Sequence, residues 1–210
     1  SQGDGIKMAE KLGAQTVDMD QIQIHPSVEQ KTSYLITEAV RGEGAILINQ
    51  EGKRFFNELE TRDKVSAAII GQEGKSAYVV FDEALKGRVK AINQYESKGL
   101  VVKGDTIEDL AKEIGVDPAN LKASLETWNK AVADKKDDEF GRTTGMDNDL
   151  SQAPYYAIKI APGIHHTMGG LKINTNAQVL NKENQPIKGL YASGEVTGGV
   201  HGANRIGGNA

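Results

Sequence analysis

Six polar side chains spread along the chain have the chemistry to grip and protonate a small anion: His25, Thr37, Arg41, Arg62, His165 and Arg205. A guanidinium pairs with a carboxylate through two parallel hydrogen bonds, and an imidazole donates or relays protons near neutrality. Together the set suits a small ligand with a carboxylate at each end. Glu38 stands three residues before Arg41, so the two share a face if Thr37-Glu38-Ala39-Val40-Arg41 is helical. Such a pair on a surface contributes at most about 1 kcal/mol. The apolar neighbours Leu35, Ile36, Ala39 and Val40 argue instead for partial burial, where a charge needs a reason. Arg62, within Glu60-Thr61-Arg62-Asp63, has the alternative of a local bridge or cap. His25 ends the run Gln23-Ile24-His25-Pro26, and the proline restricts its backbone; a histidine satisfied within a loop is the other reading. His165 and His166 are adjacent, and neighbours on a strand point to opposite faces. With no acidic or Cys partner at ligand spacing, no metal site is expected. One ring is expected to face a cleft and the other the framework.

Residues 189–210 read GLYASGEVTGGVHGANRIGGNA, a short apolar stretch running into a glycine-dense loop that contains Arg205. Without a Cβ, backbone N–H groups can crowd around a bound group. The end of the chain therefore reads as half of a binding site, and the chain as a piece of a larger enzyme.

The elements that must hold these residues are mixed. Helices are expected over 4–13, 63–70 with Asp63 as its cap, 105–114 capped by Asp105 or Thr106, and from Pro118 to about Lys135 after an Asp117 cap. Alternation over 16–25 predicts one strand, broken by Pro26. Gln50-Glu51-Gly52 between ILIN and KRFFN predicts a hairpin. Further strands are expected at SAYVVFD, YYAIKI, GLKINTN and GLYAS, with a hairpin around Lys182-Glu183-Asn184. The polar run 134–152 reads as a surface loop. Strict β-α-β alternation is missing, so the fold class is α+β.

Composition narrows the function. The net charge of −4, without a basic stripe, argues against nucleic-acid binding. The absence of cysteine removes thiolate, iron–sulfur and Cys-zinc chemistry. No apolar run approaches a membrane span. There is no P-loop, no G-x-G-x-x-G and no G-x-S-x-G.

Taken in order, QIHP, TEAVRGEGAILIN, EGKRFFNE, TRD, HHTMGG and GLYASGEVTGGVHGANRIGGNA resemble the flavoprotein subunit of soluble fumarate reductases of the flavocytochrome c type, within the FAD-dependent fumarate reductase/succinate dehydrogenase family. The likeness covers nearly the whole chain. It implies an FAD-binding domain interrupted by a capping (clamp) domain. Residues 1–25 and 165–210 would belong to the first and residues 26–164 to the second. The family's G-x-G-x-x-G segment would lie outside this stretch, and the fragment alone would be inactive.

The resemblance also implies roles. Hydride would pass from flavin N5 to one alkene carbon of fumarate. His165 and Arg205 would hold one carboxylate, and His25 and Thr37 the other. Arg62 would protonate the second carbon, with Glu38 and Arg41 relaying its proton. His166, Glu195, His201, Gly202, Asn204, Gly207 and Gly208 would contact FAD or shape its loop. An electron-donor domain or subunit would lie outside the segment. The expected compartment is cytoplasmic, with a periplasmic or extracytoplasmic location as the alternative. Relatives that reduce urocanate or methacrylate make another unsaturated carboxylate the alternative substrate, and a non-catalytic capping module is the alternative class. One departure is Ser27, where many relatives carry Thr.

Overall fold

The computed structural model describes residues 2–205, so the expected flavin contacts Gly207 and Gly208 lie outside the described residues. The elements in chain order are α1 (Asp4–Lys11), β1 (Thr16–Val17), β2 (Ile22–Glu29), α2 (Ala39–Gly42), β3 (Ile46–Ile48), α3 (Arg62–Ile70), β4 (Ala77–Asp82), α4 (Glu83–Arg88), α5 (Ala91–Ser97), β5 (Val102–Gly104), α6 (Ile107–Ile114), α7 (Pro118–Asp134), β6 (Tyr155–Thr167), β7 (Gly170–Leu171), β8 (Gln178–Leu180) and β9 (Pro186–Tyr191). Helices and open sheets are mixed, an α+β arrangement. The chain divides into two compact units, Ser1–Ile24 with Ile164–Ala210, and His25–Gly163.

The His25–Gly163 unit is built on a five-stranded sheet of order β2-β6-β4-β3, with β5 also pairing with β6. β4 is antiparallel to both β3 and β6, with Val79 opposite Leu47 on one side and Ile158 on the other. All six residues of β4 are buried, as expected of an interior strand covered on both faces. α6 supplies Leu110, Ala111 and Ile114 to the core, and α7 supplies Leu121, Leu125, Trp128, Ala131 and Val132. Asp117 caps α7 as its sequence implies, its Oδ1 accepting from the N–H groups of Ala119 (2.8 Å) and Asn120 (3.3 Å), with Pro118 in the first turn. Thr106 likewise caps α6 by accepting from Asp109 N–H. Gly104 lets β5 and α6 meet, since a Cβ there would lie 2.2 Å from Leu110 N.

The other unit packs a small core of Ala9, Ala14, Leu171 and Val179. β1 pairs with β7, and β8 with β9. The β8–β9 turn is held by Asn181 Oδ1, which accepts from Glu183 and Gln185 N–H, and Asn184 adopts a positive φ of 59°.

Four local expectations are corrected. Residues 16–25 are not one strand: Asp18 enters the left-handed region (φ 53°) and a turn separates β1 from β2. β2 then continues through Pro26 to Glu29, which is possible because it lies at the sheet edge. The ILIN–KRFFN hairpin is reduced to a single bridge, Ile48 to Arg54. β3 takes β4 as its partner, and Arg54 turns into the interior. Asp63 does not cap α3: the cap position is Thr61, and Asp63 sits in the first turn, where its charge suits the helix dipole. Finally, residues 134–152 lack regular structure but are not merely a surface loop, because Asp137 and Arg142 are buried.

Candidate active site

The His25–Gly163 unit brings together Glu38, Arg41 and Arg62. The start of α3 presents Arg62 to Glu38, which directly precedes α2. Arg62 Nε donates to Glu38 Oε1 (2.8 Å) and Nη2 to Oε2 (2.9 Å), a two-pronged pairing. Arg41, one turn along, lies 3.5 Å from Glu38 Oε1 through Nη2. The hydrogen bonds from Arg62 hold the Glu38 carboxyl down to about 2, and Glu38 in turn raises the affinity of Arg62 for its proton. Arg41 goes the other way. Burial lowers it to about 10, reinforced by the nearby cations Arg142 and Arg62 and opposed by Glu38 and Glu58. The apolar neighbours of this pair thus did mark a buried arginine: Arg41 is 2% exposed.

A buried charge cluster supports this group. Glu58 is fully buried, and its carboxylate accepts from Arg54 Nε (2.9 Å) and Nη2 (3.0 Å), Arg142 Nη1 (3.1 Å) and Leu47 N–H (3.2 Å). Arg54 also donates to both oxygens of Asp137. Every N–H of the Arg142 guanidinium is used. Nε donates to Thr144 O, Nη1 to Ala45 O and Glu58, and Nη2 to Arg41 O and Gly145 O. The guanidinium carbons of Arg142 and Arg54 lie 4.4 and 4.8 Å from the centre of the Trp128 ring. Arg41 is gripped twice by the cluster, its carbonyl accepting from Arg142 and its Nη1 donating to the Glu58 carbonyl. Sequence reasoning missed Arg54, Glu58, Asp137 and Arg142, because each is an ordinary charged residue until its distant partner is known.

His25 and Thr37 belong to the same unit. His25 is buried, and its Nδ1 accepts from Ser27 N–H (3.2 Å), so the neutral ring carries its proton on Nε2 and can donate from there. Ser27 thus acts through its backbone, which fits its exchange for Thr relative to the resemblance. Thr37 N–H donates to Tyr95 Oη (3.0 Å), and Thr37 Oγ1 accepts from Ala39 N–H (3.4 Å).

In the other unit, His165 and His166 lie at the end of β6, the first half-buried and the second buried. His166 Nδ1 is 3.3 Å from Glu195 Oε1, and its ring meets that of His201 edge-on at 5.6 Å. Burial lowers the affinity of His166 for a proton; Arg205 adds to this and Glu195 opposes it. Glu195 Oε1 also accepts from Thr167 N–H (2.9 Å) and Oγ1 (3.3 Å), which holds the carboxyl below its usual range. Gln23, buried and absent from the sequence-based candidates, donates to Asn204 Oδ1 (2.6 Å) and Arg205 O (2.8 Å) and fixes the backbone carrying Arg205. Its place in QIHP was the available signal.

The glycine loop has two kinds of glycine. Gly194, Gly199 and Gly202 have positive φ, and around Gly194 and Gly202 the space a Cβ would enter is open. Gly170 and Gly198 do the opposite, packing backbone on backbone: a Cβ would lie 2.4 Å from Val196 O or from Gly170 N, respectively. Among the described residues, the bonds to Glu195 use Oε1, and its side chain is 54% exposed, which leaves Oε2 facing solvent as an acceptor for a ligand hydroxyl. A rigid base carrying an open, left-handed rim beside a carboxylate fits a dinucleotide with ribose hydroxyls.

The sequence profile of the FAD binding domain family matches residues 1–210, the whole chain. The chain belongs to the FAD binding domain family. Within that family it is 56% identical over 208 residues to the NADH:fumarate oxidoreductase of Klebsiella pneumoniae (strain 342), covering 99% of this chain and 22% of that protein. It is 49% identical to the fumarate reductase (cytochrome) of Shewanella frigidimarina, again over 99% of this chain and 36% of the relative. Among solved structures, the open conformation of a flavocytochrome c3 fumarate reductase matches with a TM-score of 0.87 and 50% identity, covering all of this chain and 37% of that one. The chain thus spans between about a fifth and about a third of the relatives it matches. FAD is the cofactor these family matches indicate. Among the described residues, no helix is long and apolar enough to cross a membrane.

Proposed function

We propose that this chain is part of an FAD-dependent reductase that converts fumarate to succinate, with the His25–Gly163 unit as the capping domain and the remaining residues as part of the FAD-binding domain. FAD, when bound, supplies the hydride equivalent for one alkene carbon. Glu195, His166, His201, Gly202 and Asn204 would hold it or shape its loop. Electrons would enter from a donor domain or subunit outside this segment.

The residues of this chain bind, orient and protonate. His165 and Arg205 take one carboxylate. His25 Nε2–H and the Thr37 hydroxyl take the other, and donors aimed at that carboxylate stabilise the negative charge that develops on it in the transition state. Arg62 delivers the proton to the second carbon. That carbon is far more basic than a guanidine, so the transfer is downhill despite the high affinity of Arg62 for its proton. Glu38, ionised down to about 2, holds no proton to spare near neutrality and serves as a conduit. Arg41, lowered to about 10, releases a proton more readily than Arg62 and refills it through Glu38.

The observation that carries this reading is the ordered Arg62–Glu38–Arg41 chain, with a two-pronged ion pair at one end and a buried guanidinium of lowered proton affinity at the other. The test is fumarate-dependent oxidation of a reduced viologen dye by the intact parent protein. Arg62→Ala is expected to reduce turnover by about 10³-fold or more, from loss of both the proton donor and its charge. Near-normal turnover in that variant refutes the assignment.

A further inference from the structure

Tyr95 lies outside every residue assigned above, yet its phenol oxygen receives the Thr37 backbone N–H at 3.0 Å. It comes from α5, 58 residues further along the chain, and is 3% exposed. Its ring is held edge-on to Tyr34 at 5.9 Å, at an interplanar angle of 73°. Leu100 N–H donates to the Tyr95 carbonyl, fixing the residue from the backbone side as well. Burial raises the phenol above its usual range, so the group remains a neutral hydroxyl over the working pH range.

Thr37 needs such a support. It precedes the four-residue helix α2, too short to hold its own entry rigidly, and its Oγ1 receives only a long bond from Ala39 N–H. An amide N–H bonded to a buried, ring-packed acceptor fixes the position of the Thr37 Cα and therefore the reach of its hydroxyl.

We propose that Tyr95 is a positioning residue for diacid recognition: its phenol oxygen anchors Thr37 so that the threonine hydroxyl meets the second carboxylate of the substrate. This rests on the fumarate reductase reading above. It adds a residue that acts through Thr37 and touches neither substrate nor cofactor.

The test is Tyr95→Phe, which removes one oxygen and keeps the ring, compared with Tyr78→Phe. Tyr78 Oη donates to Ile114 O (3.1 Å), so the control deletes a buried tyrosine hydrogen bond elsewhere in the unit. In the 210-residue chain, Tyr95→Phe is expected to speed hydrogen exchange of the Thr37 amide by about 5-fold or more, in line with losing one net hydrogen bond; Tyr78→Phe leaves that amide unchanged. In the intact parent protein, Tyr95→Phe is expected to lower kcat/KM for fumarate about 5-fold, because Thr37 both binds the carboxylate and stabilises the charge that develops on it. Tyr78→Phe leaves kcat/KM unchanged. An unaltered Thr37 amide or an unaltered kcat/KM overturns the proposal while the wild-type enzyme remains active. A wild-type parent with no fumarate-dependent turnover overturns the functional reading itself, and the proposal with it.

Discussion

Removing the charge of Glu58 is the most demanding test of how the buried cluster is held together. Glu58→Gln keeps the shape of the side chain but replaces one acceptor oxygen by an amide. The carboxylate accepts four N–H groups, from Arg54 twice, Arg142 and Leu47, with no exposure to water. In the native cluster Arg54 and Arg142 face Glu58 and Asp137, two charges of each sign. After substitution, two guanidinium groups share one carboxylate, and the new NH₂ points at a donor. Removing one partner of a buried ion pair costs about 3–5 kcal/mol. For a chain of this size that corresponds to a fall in Tm of about 6–20 °C. Trp128 is the sole tryptophan, and both arginines lie against its ring, so its fluorescence reports on this region during urea or thermal unfolding. Glu43→Gln, at the exposed Glu43–Arg88 pair, is the control and is expected to lose less than about 1 kcal/mol. A loss at Glu58 no larger than at Glu43 would refute the reasoning.

Two further outcomes concern Glu38 and Gly170. Glu38 has a folded-state affinity depressed to about 2 from an ordinary 4.5, so its pairing with Arg62 stabilises fully above about pH 4.5 and is lost as pH falls towards 2. With 42% of the side chain exposed, solvent screening limits that contribution to about 1 kcal/mol or less; a carboxyl ¹³C titration is expected to move Glu38 towards its ordinary value in Arg62→Gln, and an unmoved titration counts against the pairing. Gly170→Ala places a Cβ 2.4 Å from Val196 O, so overpacking of about 1–3 kcal/mol or more is expected, along with faster loss of FAD from the intact holoprotein; a stable variant that retains flavin normally would refute the rigid base assigned to the loop.

What was legible in the sequence was local chemistry. Asp117-Pro118 and Thr106 start their helices as read, because a cap needs only residues two or three positions away. The Glu38–Arg41 pair was also legible, since its apolar neighbours are adjacent in sequence. Strand partnering was not. The turn-forming Gln50-Glu51-Gly52 does reverse the chain, with Asn49 N–H donating to Lys53 O and Ile48 bridging Arg54, but the returning arm stops there because Arg54 turns into the interior, and the full ladder of β3 is with β4 on its other edge. Pro26 misled for a related reason: proline ends a strand only where its missing N–H is needed, and whether β2 is an edge depends on the whole sheet.

The largest misreading, residues 134–152 as surface, has the same origin. Polar composition signals exposure only while the partners of the charges are unknown. Arg54 and Asp137 are 83 residues apart, and Arg142 and Glu58 are 84 apart, so neither pair leaves a periodic trace. The consequence reaches the proposed chemistry. Arg142 spends two of its N–H groups on the carbonyls of Arg41 and Ala45, fastening both ends of the α2–β3 turn. Glu58 returns its own carbonyl to the Arg41 guanidinium. A short helix that could not hold a buried arginine in place by itself is thereby fixed to the centre of the unit. The residues that look least specific in the sequence set the position, and through burial beside Arg142 the lowered proton affinity, of a residue that looks most specific.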